Sequence, residues 1–259
     1  MTMSLTRSMF VLALGFIAAL PALYAQQTEQ QISVSEQYLY RAANAERAQR
    51  GLAPLAWDPV LYRAAAYHAD EMARHNTISH QFSGEPELSA RGSAAGARFS
   101  VISENVAMAG TAVQIHDMWM HSTHHRDNLL DATVDHIAIR VVRRNGELFA
   151  VEDFERQVAN LSLSQQEQQI ANLVQNTAAV TILPTTADVR RTCAMDSGYA
   201  GSHKPWFVMR FTGGQLNRLP DALVDKLTSG RYHSAAVGAC QTTDTQNFSA
   251  YNIAVLLYP

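Results

Sequence analysis

The sequence predicts an α/β fold in which helices cover a central sheet, and three observations support this class. Residues 36–50, and a second segment that begins at Asp58-Pro59, carry apolar side chains at helical spacing. A strand and a further helix follow, and then a hairpin closes through Asn145-Gly146, a pair that favours a tight primed turn. No GxGxxG or Walker loop follows a strand, so a doubly wound nucleotide-binding fold is not implied.

The first two helices have recognisable ends. Ser33 or Ser35 can cap the first helix, and Gly51 suits its C-terminal stop. Asp58 is the cap of the second helix, and Pro59 takes the first helical position, where its missing N–H leaves no bond unmade. The second helix carries one broad stripe: Leu61, Ala64, Ala65, His68, Met72 and His75.

The middle of the chain alternates irregular segments with regular ones. Residues 76–100 are polar and contain glycine, so we expect irregular structure there. A short strand is predicted at 102–109 and a helix at 111–120. That helix is expected to bury Val113, Ile115, Met118 and Trp119, unevenly around its surface. The hairpin strands are predicted at 137–142 and 148–151.

The composition changes near Glu155. Residues 156–176 are rich in glutamine with scattered leucines, which predicts a connecting helical segment. Residues 177–259 hold two apolar runs and one capable helix, which predicts a small α+β C-terminal region. The sequence shows no internal repeat.

The first 25 residues have the pattern of a secretory signal peptide. Arg7 precedes an apolar run over residues 9–20, and Ala25 stands before polar glutamines. The run is shorter than the ~20 residues that a membrane-spanning helix needs, although an uncleaved anchor is the alternative. We therefore expect cleavage near Ala25, a secreted or periplasmic protein, and no transmembrane segment after signal removal.

Export affects how the two cysteines are interpreted. Cys193 and Cys240 would enter an oxidising compartment, where disulfides persist. A bond between them would stabilise the fold by roughly 4 kcal/mol in the chain-entropy model. We expect this disulfide; the alternative is two buried free thiols.

Charge and histidine content limit the functional classes. The chain has 20 Lys+Arg against 23 Asp+Glu, a formal net charge of -3, which argues against a nucleic-acid partner. Two cysteines without a CxxC pair argue against a zinc ribbon. Ten histidines are present, and eight lie between His68 and His136, which raises the question of a metal centre.

An ordered series of motifs runs through the first part of the chain. The series is Tyr38-Leu39-Tyr40-Arg41, Asn44-Ala45-Glu46-Arg47, Trp57-Asp58, Ala66-Tyr67-His68-Ala69, Ser79-His80, Ser103-Glu104-Asn105-Val106-Ala107, Trp119-Met120-His121-Ser122 and His125-Arg126-Asp127-Asn128. It resembles the CAP superfamily, also called SCP-like, of cysteine-rich secretory, antigen 5 and pathogenesis-related 1 proteins, in its bacterial branch. The resemblance covers residues 34–155 and does not extend to residues 160–259.

The resemblance implies a three-layer α-β-α sandwich with a central cleft. In many members two histidines and two glutamates face that cleft and can hold a divalent cation. His80, Glu104 and His125 match three of those positions. Ser122 stands where many eukaryotic members have the second glutamate, so the set is at best three-membered. No cofactor is required, and Zn²⁺ or another divalent cation is the candidate.

The chemistry of these residues leaves alternatives open. Two imidazoles and one carboxylate suit Zn²⁺ with a water at the fourth position. The alternative is a polar cleft whose groups bond one another and water. Ser122, Arg126 and Asn128 are cleft-lining candidates, and the arginine and asparagine can equally satisfy buried carbonyls. His68 lies on an apolar stripe and is expected to be a hydrogen-bonded core residue.

No catalytic set is complete, so we assign no catalytic residues. There is no HExxH pair and no GxSxG elbow. The leading hypothesis is an exported, non-enzymatic binder of a small molecule, lipid, glycan or protein. One rival is a metal-assisted hydrolase that uses His80, Glu104 and His125. Another makes residues 160–259 the working part and the SCP-like domain a scaffold.

Overall fold

The structure, a computed structural model, describes residues 32–241 and 247–259, and the expected signal peptide lies outside these ranges. The first part of the chain forms α1 (Val34–Gln49), β1 (Ala56–Trp57), α2 (Leu61–His75), α3 (Leu88–Ala95), β2 (Phe99–Ala109), α4 (Ala112–His121), α5 (Thr123–Leu130), β3 (His136–Arg144) and β4 (Glu147–Gln157). The rest forms α6 (Leu163–Thr177), β5 (Thr181–Ile182), α7 (Ala187–Cys193), β6 (Phe207–Gly213), α8 (Asp221–Leu227), β7 (Ser234–Cys240) and β8 (Tyr251–Tyr258). Within the described ranges, no helix has the length and apolar content needed to cross a bilayer.

The first sheet has the strand order β1-β3-β4-β2. β1 pairs parallel with β3, and β4 pairs antiparallel with both β3 and β2. Successive side chains point to opposite faces, so Ile137, Ile139 and Val141 enter a core shared with α1, α4 and α5. Ala138 and Phe149 point the other way, into cores shared with α2. Helices thus cover both faces, which is the predicted three-layer α-β-α sandwich.

Local sequence signals fix the ends of these elements. The Ser33 hydroxyl accepts from the Glu36 N–H at 3.3 Å, and the Glu36 carboxylate accepts from the Ser33 N–H at 2.6 Å, which is a capping box. Asp58 Oδ1 accepts from the Leu61 N–H at 3.0 Å at the start of α2. Asn145 and Gly146 have φ of 51° and 89°, so the predicted primed turn is present between β3 and β4.

The second sheet has the strand order β5-β7-β8-β6. Helices α6 and α8 cover one face through side chains such as Ile170 and Leu223. Helix α7 covers the other face through Val189 and Cys193. The predicted disulfide between Cys193 and Cys240 is present, with the two Cα atoms 5.7 Å apart, and it ties α7 to the end of β7.

Two expectations for the first part of the chain are wrong. The region predicted to be irregular contains α3, whose N-cap Glu87 accepts from the N–H of Ala90 at 3.0 Å. This helix has eight residues, most of them small, so it lacks the apolar stripe that periodicity detects. Helix α4 buries Ile115 and Trp119 but leaves Val113 and Met118 58% and 47% exposed, because it packs through a single narrow stripe.

Candidate functional site

Glu104 of β2 is the centre of a buried polar cluster on the α2 face of the first sheet. Its Oε1 accepts a hydrogen bond from Nδ1 of His80 at 2.8 Å, and its Oε2 accepts one from the guanidinium of Arg91. The side chain of Glu104 is 3% exposed, whereas that of His80 is 62% exposed. The cluster therefore reaches solvent through the imidazole of His80. The hydrogen bond to Glu104 raises the pKa of His80 above its ordinary value.

Arg91 brings a buried positive charge to this cluster from α3. Its guanidinium donates to the carbonyl oxygens of His80 and Pro86 at 3.1 and 3.2 Å. It also lies 3.6 Å from Oε1 of Glu85. The side chain is 1% exposed, and a buried charge needs such partners because an unpaired one strongly destabilises the fold. Arg91 thereby holds both the Glu104 carboxylate and the segment that carries His80.

His68 of α2 closes the inner side of the cluster. Its Nε2 lies 2.7 Å from the carbonyl oxygen of Ser79, and its Nδ1 lies 2.7 Å from Oε1 of Glu85. A carbonyl oxygen only accepts, so Nε2 is the donor to Ser79, and both ring nitrogens are engaged by the protein. Nε2 is also 3.8 Å from Oε2 of Glu104. His68 is thus the hydrogen-bonded core residue that the sequence predicts, and it belongs to the wall of the site.

Asp153 of β4 is a further buried carboxyl on this face. It lies opposite Glu104 in the antiparallel register and is fully buried. Both of its carboxyl oxygens are without a hydrogen-bond partner among the residues that the structure describes. Burial raises the pKa of Asp153 well above its ordinary value, and the neighbouring Glu104 charge adds to that rise. Asp153 therefore retains its proton more readily than an ordinary aspartate.

Asparagine side chains tie α5 to the other face of β2. Asn105 Nδ2 donates to the carbonyl oxygen of His125 at 3.0 Å and to Oε2 of Glu152 at 3.1 Å. Asn128 Nδ2 donates to the carbonyl oxygen of Glu104 at 3.2 Å and to Oδ1 of Asn105 at 3.0 Å. These bonds set the position of α5, and so of His125, relative to Glu104.

The remaining cleft candidates lie at the junction of α4 and α5. Ser122 links the two helices, and its N–H donates to the carbonyl oxygen of Met118 at 3.1 Å. Arg126 donates to the carbonyl oxygen of Met120 at 3.1 Å, so, like Asn128, it satisfies backbone acceptors. Burial lowers the pKa of His125, and the charges of His80 and His124 lower it further.

The three predicted cation ligands come together only in part. His80 and Glu104 are in contact. In residues 32–241 and 247–259, however, no group of three or more His, Cys, Asp or Glu side chains is arranged to hold a metal ion. His80 and Arg91 occupy the two oxygens of Glu104, so this donor set does not fit a cation without rearrangement. Glu104 orients His80 through Nδ1, which leaves Nε2 of this exposed ring as the nitrogen that a ligand can reach.

Comparison with known proteins identifies the part of the chain that carries this site. Residues 40–154 match the model of CAP, the cysteine-rich secretory protein family. This region is a CAP domain of the bacterial type. It is similar to the uncharacterized protein YkwD of Bacillus subtilis (strain 168), with 29% identity over 112 residues that cover 43% of this chain and 44% of that protein. The chain thus spans less than half the length of this curated relative.

Two solved structures also resemble this chain. An extracellular protein containing a SCP domain from Bacillus anthracis str. Ames has 26% identity and a TM-score of 0.45, over 48% of this chain and 40% of that chain. An outer surface protein from Borrelia burgdorferi has 19% identity and a TM-score of 0.45, over 48% of this chain and 92% of that one.

Arg91, Glu85 and Asp153 belong to the CAP-domain site, although no sequence motif indicates them. Arg91 and Glu85 lie in the segment predicted to be irregular, so nothing placed them next to Glu104. Asp153 has a usable signal, because Glu152 and Asp153 directly follow the apolar run of residues 148–151 and precede Phe154. Charged residues that continue an apolar strand are informative, since burial of such groups requires a reason.

Proposed function

We propose that this chain works outside the cytoplasm as a non-enzymatic binding protein whose ligand contacts His80 at the cleft of the CAP domain. One observation carries the proposal: the buried carboxylate of Glu104 holds the exposed imidazole of His80 at 2.8 Å. An imidazole fixed in one orientation loses little further freedom when a ligand binds, so the contact is preorganised.

Export is part of the proposal and has separate support. Residues 1–25 have the charge and apolar pattern of a secretory signal. The Cys193–Cys240 disulfide is a bond that persists in oxidising compartments. A secreted or periplasmic location agrees with both observations.

A divalent cation is a second form of ligand that the same residues could contact. Glu104 becomes a ligand only if Arg91 or His80 releases one of its oxygens. We therefore propose that a cation such as Zn²⁺ binds weakly and reversibly at His80 and His125, and that the fold does not require it. The raised pKa of His80 makes protons compete with the cation up to a higher pH than at an ordinary histidine.

Titration of the mature chain, residues 26–259, tests the proposal. Zn²⁺, anionic phospholipid vesicles and soluble glycan oligomers are each titrated by calorimetry against the wild type and His80→Ala. The matched control is His121→Ala, which removes an imidazole that is 79% exposed at the end of α4. We expect at least one probe to bind the wild type, with about tenfold or greater loss in His80→Ala and no change in the control.

Two results would overturn the proposal. Equal binding by both variants would remove His80 from the site. Failure of every probe, together with hydrolysis of an ester or peptide substrate that depends on His80 and is abolished by chelation, would favour the metal-assisted hydrolase instead.

A further inference from the structure

The two sheets of this chain are built in the same way. Residues 34–157 and residues 163–258 each begin with a helix. A two-residue strand, a second helical segment, a long strand, a third helical segment and a hairpin follow in the same order. The strand orders β1-β3-β4-β2 and β5-β7-β8-β6 are the same permutation, with the same parallel and antiparallel pairs. The first helix of each half begins in a capping box, at Ser33 and at Ser162.

The hydrogen bonds around the two-residue strands also correspond. Each strand is held at both ends by backbone bonds to its parallel neighbour, and each bond measures 2.8 or 2.9 Å. These bonds run from Ala56 N to Asp135 O and Asp58 N to Ile137 O in the first half, and from Thr181 N to His233 O and Leu183 N to Ala235 O in the second. Topology and register therefore agree where the sequence shows no repeat.

We infer that residues 163–258 are a second, shorter copy of the fold of residues 34–157, and that this copy supports the cleft of the CAP domain through its longer hairpin loop. The inference does not depend on what the cleft binds. It assigns a role to the region that the family match leaves uncovered.

The shared register shows what the second copy has at the positions of the polar cluster. His136 pairs with Glu155 in the first copy, and Ser234 pairs with Tyr258 in the second, so these pairs occupy equivalent places in the two sheets. Strand β2 aligns with β4 as β6 aligns with β8. The corresponding pairs are Glu104 and Val208, Asn105 and Met209, Glu152 and Val255, Asp153 and Leu256, and Glu155 and Tyr258. Every polar residue of the set is replaced by an apolar or aromatic one. The same backbone therefore folds without the buried polar groups.

The hairpin loop is where the second copy is longer than the first. Two residues separate β3 from β4, whereas ten separate β7 from β8. The described end of the longer loop crosses to the first copy. The ring of Phe248 packs edge-on against Phe99 with centroids 5.3 Å apart, and the Ser249 N–H donates to the carbonyl oxygen of Phe99 at 2.7 Å. The Ser93 hydroxyl donates to the carbonyl oxygen of Asn247 at 2.6 Å.

These contacts meet the helix that supplies the buried arginine. A side chain at Gly92 of α3 would come within 2.8 Å of the Phe99 ring, so the helix lies directly on the residue that Phe248 covers. Arg91 is the next residue, and it holds Glu104. The loop of the second copy thus contacts Ser93 of α3 and Phe99 of β2, on which α3 packs. These contacts fix the position from which Arg91 reaches the site.

Amide hydrogen exchange on the full mature chain tests this support. The reporters are three amides bonded in or beside α3: Arg91 N, Gly96 N and Ala97 N. Phe248→Ala should speed their exchange about tenfold by removing the aromatic pair. Trp206→Ala is the matched control: Trp206 is 64% exposed and precedes the end of β6 that is remote from the loop, so the α3 amides should not change.

A milder variant keeps the test decisive if Phe248→Ala unfolds. Ser93→Ala removes only the hydrogen bond to Asn247, and it should speed the same amides by a smaller factor. Unchanged α3 exchange in a folded Phe248→Ala protein would overturn the inference. A uniform rise across both sheets would also overturn it, because the loop would then stabilise the whole chain and not α3.

Discussion

Glu104 of β2 and Asp153 of β4 lie directly opposite one another in an antiparallel pair, and both side chains are buried. Two carboxylates in this position would repel. The Arg91 guanidinium compensates Glu104, while burial and the Glu104 charge raise the pKa of Asp153. The pair is thus compatible with the fold because Arg91 compensates Glu104 and Asp153 retains its proton more readily than an ordinary aspartate.

Asp153→Val should leave the free energy of unfolding unchanged or raise it by up to about 2 kcal/mol. The reason is that both Asp153 oxygens are buried without a hydrogen-bond partner in the described residues, and the second copy has Leu256 at the corresponding position. Urea unfolding at pH 7 measures the change. A loss above about 2 kcal/mol would show that the carboxyl group stabilises the fold.

The reciprocal substitution Leu256→Asp is the control. It places a carboxyl group at a fully apolar position of the second sheet, where Val208 and Val189 surround the site. We expect a loss of about 3 kcal/mol or more in the same urea experiment. Equal responses of the two positions would contradict the difference in polarity between the copies.

Arg91→Met should lower the free energy of unfolding by about 3–5 kcal/mol, because it leaves the buried Glu104 carboxylate without its cation. Arg74→Met is the control, since Arg74 forms a pair with Glu71 at the surface of α2 and should have little effect. Denaturant curves for the two variants give the comparison. Similar small losses would mean that Arg91 is not needed to compensate Glu104.

The sequence predicts the sandwich well because its local signals are strong. Ser33, Asp58 and the Asn145-Gly146 turn each determine an element end through a bond or a dihedral that neighbouring residues supply. His80 and Glu104 also meet as the family motifs imply. These features depend on short stretches of chain, or on motifs that the family resemblance places together.

The sequence predicts less well where the structure depends on distant contacts. Arg91 reaches Glu104 only because α3 packs on Phe99, and α3 has few apolar residues to reveal it. The repeated topology likewise cannot be detected in the sequence, because Glu104 and Val208 occupy the same place in their sheets but one is charged and the other apolar. Register is a property of paired strands, so it emerges only when the partners are known.

Glu104→Gln should lower the pKa of His80 toward its ordinary value of 6.5. The Glu104 carboxylate stabilises the imidazolium through its hydrogen bond, and a neutral amide does not. An NMR titration of the His80 ring follows the change, with Glu147→Gln on the exposed hairpin as the control. A His80 pKa that is unchanged by Glu104→Gln would show that the carboxylate is not its partner in solution.

Stability should fall as the pH rises from 5 to 8, because β4 carries two further buried carboxyl groups. Burial raises the pKa of Glu152 to about 8, and burial together with the neighbouring Asp58 carboxylate raises the pKa of Glu155 to about 9. Between the unfolded value of 4.5 and these values, the folded state holds protons that the unfolded state releases. Each such group is stabilising below pH 4.5, and its contribution is lost as the pH rises toward its folded pKa.

Glu155→Gln should therefore flatten the decline in the free energy of unfolding by about 1.4 kcal/mol per pH unit between pH 5.5 and 7.5. The amide has nearly the size of the carboxyl group but has no proton to lose, so it removes one pH-dependent group without opening a cavity. Urea unfolding at three pH values gives the slope for the wild type, for this variant and for the control Glu147→Gln, whose carboxylate is exposed. If Glu155→Gln and the wild type decline in parallel, then Glu155 is ionised in the folded protein, and the Asp58–Glu155 pair must hold its charge by another route.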